Sequence, residues 1–242
     1  MSLPESSPAT APLQVADPDE GRVLPLTSEE LVMVHAPRGQ IAEQFRALRS
    51  SIVTLNPEGA ARTLVVTSAL RGEGKTVVAA NLALALAEMP GQQLLVVDAN
   101  LHTPGVEDLL GLPRRQGLAD LLSGRLPLDK AIRGTSVQRL AVLGAGNLPR
   151  NPSELLASER MRALVRSLKQ RFSYVLIDTP EATTTSDASV LGAIADGILL
   201  VARQGSAPRH YVEAAFNQLS ALGGNVLGTC LTSSYQEDTA RT

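Results

Sequence analysis

From residue 62 onward the chain alternates between short, continuously apolar runs and longer stretches with apolar residues three or four positions apart. The short runs predict strands at Leu64–Thr67, Leu94–Asp98, Leu140–Leu143, Tyr174–Asp178, Ile198–Ala202 and Leu227–Leu231. The periodic stretches predict helices at Lys75–Ala87, Ser153–Arg171, Asp187–Ile194 and Tyr211–Leu222. Upstream, Ile41, Phe45, Leu48 and Ile52 fall on one face of a further helix, Ile41–Leu55. Runs such as Leu94-Leu95-Val96-Val97 and Ile198-Leu199-Leu200-Val201 leave no polar face. Such strands are covered by helices on both sides, so the fold class is a three-layer α/β/α domain around a mainly parallel sheet. Small helices are expected among the glycines between Pro104 and Val137. Asn151 or Ser153 is placed to cap the long helix that follows.

Residues 1–37 are rich in proline, serine and acids and are expected to form a loose arm, although Leu31-Val32-Met33-Val34 can pair with something. The folded domain is expected over 38–232, followed by a flexible tail, 233–242. At 242 residues, one large α/β domain is a natural size. A formal charge of −2 gives no bulk attraction to nucleic acid, and 2 % aromatic residues cannot build a base-stacking platform. Cys230 is the single cysteine, which excludes an internal disulfide and fits a reducing cytosol. The three histidines, His35, His102 and His210, lack the spacing of a zinc site. Without a signal-peptide pattern or a bilayer-length apolar run, the chain is expected to be soluble and intracellular.

The chemistry concentrates at Ala69-Leu70-Arg71-Gly72-Glu73-Gly74-Lys75-Thr76, set between a predicted strand and a predicted helix. That context makes it a phosphate-binding loop of the P-loop NTPase type rather than an ordinary glycine turn. Backbone N–H groups from Arg71 through Val77 are candidates to cradle phosphate oxygens, helped by the partial positive charge of the helix start. Lys75 offers a full charge to the β and γ phosphates, and Thr76 a hydroxyl to Mg²⁺. Ala69 stands where the general motif has glycine. Asp98 and Asp178 close two buried strands at the edge where parallel sheets bind ligands, so both are candidate metal or metal-water holders. Either acid alone also reads as a solvated loop residue or a helix cap.

Together these residues resemble the bacterial tyrosine kinases of capsule and exopolysaccharide assembly, the BY-kinase family, over residues 40 to 232. The family's Asp-x-Asp-x-Arg stands here as Asp98-Ala99-Asn100-Leu101-His102. Its Asp-Thr-Pro-Pro stands as Asp178-Thr179-Pro180-Glu181. Gly117-Leu118 with Leu121-Leu122, and Asn151-Pro152-Ser153-Glu154-Leu155-Leu156, also match. Glu43-Gln44-Phe45-Arg46-Ala47-Leu48-Arg49 matches the Glu-x-x-Arg-x-x-Arg helix through which such kinases form rings. On residue pattern alone, the same face is an ordinary solvated one with a Glu43–Arg46 pair contributing ~0.2–0.5 kcal/mol.

The resemblance implies an ATP- and Mg²⁺-dependent tyrosine autokinase regulating polysaccharide polymerisation and export. Lys75, Asp98 and Asp178 would be its catalytic residues, with Asp98 as metal orienter or proton acceptor. Tyr235 would be the phosphoacceptor, and Glu43, Arg46 and Arg49 the interface of a homo-oligomeric ring. A membrane-spanning polysaccharide co-polymerase would hold the chain at the inner face of the membrane, and a cognate tyrosine phosphatase is compatible with that reading. Three departures set the alternatives. Asn100 removes a carboxylate, and one unit charge 4 Å from a cation is worth ~4 kcal/mol at an effective dielectric of 20. His102 replaces an arginine, and Tyr235 stands alone in a tail where the family clusters tyrosines. A nucleotide-binding adaptor without phosphoryl transfer accommodates all three. A ParA/MinD-type positioning ATPase is the other alternative, although Leu70 occupies the position where those enzymes carry a lysine.

Overall fold

The computed structural model describes residues 26–60 and 62–232. In chain order they form α1 (Val32–His35), α2 (Gln40–Thr54), β1 (Arg62–Ser68), α3 (Lys75–Ala87), β2 (Leu94–Asp98), α4 (Val106–Leu109), α5 (Leu118–Leu122) and α6 (Leu128–Ala131). There follow β3 (Ile132–Gly134), β4 (Leu140–Leu143), α7 (Pro152–Leu156), α8 (Glu159–Lys169), β5 (Tyr174–Asp178), α9 (Asp187–Gly192), β6 (Gly197–Arg203), α10 (Arg209–Ala221) and β7 (Val226–Thr232). All six expected strands are present. They join in the order β3-β4-β2-β5-β1-β6-β7, every pair parallel except β3 with β4.

Strand alternation explains how fully apolar runs serve two cores. Val65, Leu95, Val97, Val175, Ile177, Ile198 and Leu200 pack on one side with α5, α8, α9 and α10. Leu64, Val66, Leu94, Val96, Leu176, Leu199 and Val201 pack on the other with α2 and α3. Successive side chains of a strand point to opposite faces, so each run fills both layers. The domain is therefore the expected P-loop NTPase sandwich. No helix among the described residues is long and apolar enough to cross a membrane.

Four local expectations are revised. The single helix expected over Ser153–Arg171 breaks at Ala157–Ser158 into α7 and α8. Ser158 leaves helical geometry and its Oγ accepts the Met161 N–H at 3.3 Å, a cap that ends one helix and starts the next. Asn151 sits at the N-cap of α7 but its side chain does not cap; it donates to Glu154 Oε2 instead. The packed domain begins upstream of Pro37, because Leu26, Leu31 and Met33 are buried and Met33 N donates to Asn81 Oδ1 on α3. Residues 1–25 of the expected arm and the tail 233–242 lie outside the described residues. Finally, the α2 stripe does not enter the core as a unit: Ile52 and Ala42 are buried, but Ile41 is 40 % exposed and Phe45 and Leu48 are half-buried. Ala42 and Ile52 join the core with α3, Arg49 bonds the Ala85 carbonyl at the flank, and Ile41, Phe45 and Leu48 also line a cavity beside the phosphate loop.

Candidate functional site

Parallel pairing aligns the chemistry. Asp98 lies opposite Asp178 in the β2–β5 register, and Asp178 lies opposite Val66 in the β5–β1 register. The loop leaving β1 therefore runs past the ends of both acidic strands. Gly72 and Gly74 have φ of +82° and +87°, a conformation that side-chain-bearing residues rarely adopt, and Gly74 forms the N-cap of α3. Lys75 and Thr76 then occupy the first turn of that helix.

The loop is braced from behind. Glu73 is buried, and its carboxylate accepts the Leu70 N–H at 2.6 Å and the Arg203 N–H at 3.2 Å. Its carbonyl accepts the Thr232 hydroxyl. The Glu73 side chain thus ties the loop to the end of β6, and its backbone carbonyl ties it to the end of β7. A cavity of about 560 Å³ flanks this junction, lined by Phe45, Leu48, Gly74, Val77, Arg203 and Leu231 among others.

The acids differ sharply. Both Asp98 oxygens are occupied by backbone donors: Oδ1 by Asn100 N, and Oδ2 by Gly105 N at 2.9 Å and Val106 N at 3.0 Å. Burial pushes its carboxyl up to about 6, against those three hydrogen bonds. Asp178 Oδ2 accepts the Thr76 hydroxyl at 2.7 Å, while Oδ1 is buried without a partner. Burial, with the charge of Asp98 next, pushes this carboxyl up to about 7. Lys75 is largely buried, and its Nζ stands 4.0 Å from Glu181 Oε2.

This arrangement fits a divalent cation with a polyphosphate. An orphaned buried carboxylate oxygen beside a threonine hydroxyl is an incomplete ligand set, and no cluster of three or more His, Cys, Asp or Glu side chains among the described residues would hold a metal unaided. Mg²⁺ commonly takes one or two protein ligands plus phosphates and water.

At the departures from the family pattern, Asn100 is buried and its Oδ1 accepts the Thr103 N–H, while its Nδ2 donates to Thr103 Oγ1. His102 Nε2 lies 2.9 Å from Oδ2 of the buried Asp187, at the first turn of α9. The structure thus gathers Lys75, Thr76, Asp98 and Asp178 and leaves Glu43, Arg46 and Arg49 on α2. There Arg46 pairs with Glu43 and Glu88, and Arg49 pairs with Glu88 and donates to the Ala85 carbonyl near the end of α3. Tyr235 lies outside the described residues. Sequence reasoning missed roles for Asp187, Glu88 and Glu181. For Glu181 the signal was present as an acid in place of the family's second proline.

A family model described as "ParA: NUBPL iron-transfer P-loop NTPase" matches residues 59–236. The chain is 33 % identical over 205 residues to the putative tyrosine-protein kinase CapB of Staphylococcus aureus, covering 85 % of this chain and 90 % of that protein. It is 31 % identical to the succinoglycan biosynthesis transport protein ExoP of Rhizobium meliloti, covering 86 % of this chain and 27 % of that protein. Among solved structures, the kinase domain of Escherichia coli tyrosine kinase ETK superposes with a TM-score of 0.82 at 31 % identity, covering 88 % of this chain and 83 % of that one. The chimerical protein CapA2B2 gives 0.80 at 31 % identity, covering 88 % and 95 %. The cell division ATPase MinD of Pyrococcus furiosus gives 0.61 at 28 % identity, with 71 % of each chain covered.

Proposed function

The chain belongs to the bacterial tyrosine-kinase (BY-kinase) family, and we propose that it is an ATP-dependent cytoplasmic protein-tyrosine autokinase that regulates polysaccharide polymerisation and export. The observation that carries the reading is the unpartnered, fully buried Oδ1 of Asp178, next to the Thr76 hydroxyl and beneath the phosphate loop. A buried acid left half-satisfied is costly unless a cation completes it.

In this reading the N–H groups of the Arg71–Val77 loop and the Lys75 ammonium hold the phosphates. Thr76 and Asp178 hold Mg²⁺, which when bound would neutralise charge on the transferring phosphoryl group. Asp98 orients the loop that faces them, through its three backbone bonds. Tyr235 receives phosphate from a neighbouring copy, with Glu43, Arg46 and Arg49 at the subunit contact. The likeness to ExoP and to the CapA2B2 chimera supports a membrane-spanning co-polymerase as the partner that brings the chain to the inner face of the membrane; a tyrosine phosphatase would reverse the modification.

Incubation with labelled ATP, Mg²⁺ and the partner's cytosolic segment is expected to yield phosphotyrosine, mapped by mass spectrometry to Tyr235. Lys75→Ala is expected to lose nucleotide binding. Intact binding without phosphotyrosine supports the second reading, a nucleotide-binding adaptor, which the uncharged, Thr103-bonded Asn100 favours. In that case Asn100→Asp with His102→Arg is expected to raise transfer from background.

A further inference from the structure

Phosphoryl transfer to a hydroxyl needs a group to take the acceptor's proton, and the acids of this site are unequally free to do so. Asp98 already accepts three backbone N–H donors, one on Oδ1 and two on Oδ2, and is fully buried. Asp178 holds the Thr76 hydroxyl with one oxygen and, on the reading above, Mg²⁺ with the other. Glu73 braces the loop, and Asp187 holds His102 through Oδ2 while its fully buried side chain keeps Oδ1 away from any incoming acceptor. Position 100, where the family carries an acid, holds an amide engaged with Thr103. Glu181 is different. Its side chain is 15 % exposed, and its one ion pair among the described residues is with Lys75, at 4.0 Å.

A lysine at this loop position grips the terminal phosphates. A carboxylate 4.0 Å from its Nζ therefore lies on the side of the site where the terminal phosphates would be held. Glu181 also follows Asp178 by only three residues, so the strand end that positions the metal-binding acid positions this one too. Before nucleotide arrives it serves Lys75 as counter-ion; the phosphates then take over that charge and leave the carboxylate free to accept a proton.

We propose that Glu181 is the catalytic proton acceptor of this site, taking the place of the acid missing at position 100. The inference rests on phosphoryl transfer as the activity proposed above. In the step, the acceptor oxygen forms a bond to the γ-phosphorus as the bond from that phosphorus to the β,γ-bridging oxygen breaks. The acceptor's proton passes to the Glu181 carboxylate, and ADP leaves with the electron pair. The acceptor is a tyrosine hydroxyl or, if the kinase reading fails, water.

The test is Glu181→Gln in the full chain, measured for phosphotyrosine formation, ADP release and, by calorimetry, affinity for ATP and ADP. Transfer is expected to fall on the order of 10²-fold. ATP binding is expected to tighten several-fold relative to ADP, because a negative charge next to the terminal phosphate is gone while Lys75 still grips it. Adding Asn100→Asp to Glu181→Gln is expected to recover a large part of the rate; no recovery overturns the exchange of positions. An unchanged rate in Glu181→Gln, with Lys75→Ala still unable to bind nucleotide, overturns the proposal and leaves the kinase reading intact. Wild-type ADP release without phosphotyrosine sinks the kinase reading alone, and Glu181 is then judged on hydrolysis. A wild-type chain that binds ATP and does neither overturns both.

Discussion

The loops that leave β2 and β5 begin with aspartates at the same height of the sheet, yet one is closed on itself and the other is open. After β2, Asp98 gathers N–H groups from Asn100, Gly105 and Val106, and Asn100 gathers Thr103. These bonds tie the turn to itself, as in a rigid scaffold. After β5, the buried oxygens Asp178 Oδ1, Thr185 Oγ1, Asp187 Oδ1 and Ser189 Oγ have no partner. Satisfied buried polar groups contribute rigidity, whereas unsatisfied ones store a cost that a ligand can relieve. The second loop is where binding energy is available.

Asp178→Asn separates the two loops most strongly. It is expected to weaken Mg²⁺-dependent ATP binding roughly ten- to hundredfold, from loss of one charge at the cation, while stabilising the ligand-free protein. Calorimetry with and without Mg²⁺, beside a urea melt, reads both; a destabilised ligand-free form breaks the comparison. Asp98→Asn is expected to do the opposite to the fold. An amide nitrogen facing backbone N–H donors costs about 1–3 kcal/mol, visible as a lower urea midpoint at pH 8.

Acidity sharpens the same contrast. Both carboxyls titrate above the usual aspartate range when folded, Asp178 near 7 and Asp98 near 6. The folded chain therefore holds more protons than the unfolded chain between roughly pH 4 and 7, and these two groups make stability fall as pH rises through that window. Melting temperatures from pH 4.5 to 8 are expected to fall less steeply in Asp178→Asn than in wild type, since that variant removes one of the two raised carboxyls, and with it the repulsion from Asp98 that raises it further.

The smallest effect belongs to the exposed helix. Glu88→Gln removes the carboxylate that Arg46 and Arg49 share at the C-cap of α3, leaving Arg46 its pair with Glu43. Surface ion pairs contribute little to stability, so the melting temperature should hardly move. Light scattering reads whether loosening the two arginines promotes self-association.

Much of the site was legible because its signals are local. Gly72, Gly74, Lys75 and Thr76 are contiguous, and the run of apolar residues before Asp98 or Asp178 announces a strand end by itself. Ser158 was missed: it is a capping residue inside a helical pattern, and the apolar period on both sides concealed the break. The short antiparallel β3 had no such signal: three residues, Ile132–Gly134, do not establish a period. The ParA-type model and the kinase structures share the phosphate loop; what separates them here is the extent of likeness, 88 % of the chain for ETK and 71 % for MinD.

By itself the sequence determined six of the seven strands among the described residues, the two-sided burial of the sheet and the phosphate loop, since each depends on residues within a turn or a strand of one another. Only the tertiary structure decided which acid keeps a free oxygen, which carboxylate faces Lys75 and which glutamate claims the α2 arginines. Those outcomes join residues far apart in the chain, 102 positions in the case of Thr76 and Asp178. Strand order and register bring such residues together, and no local periodicity encodes the result.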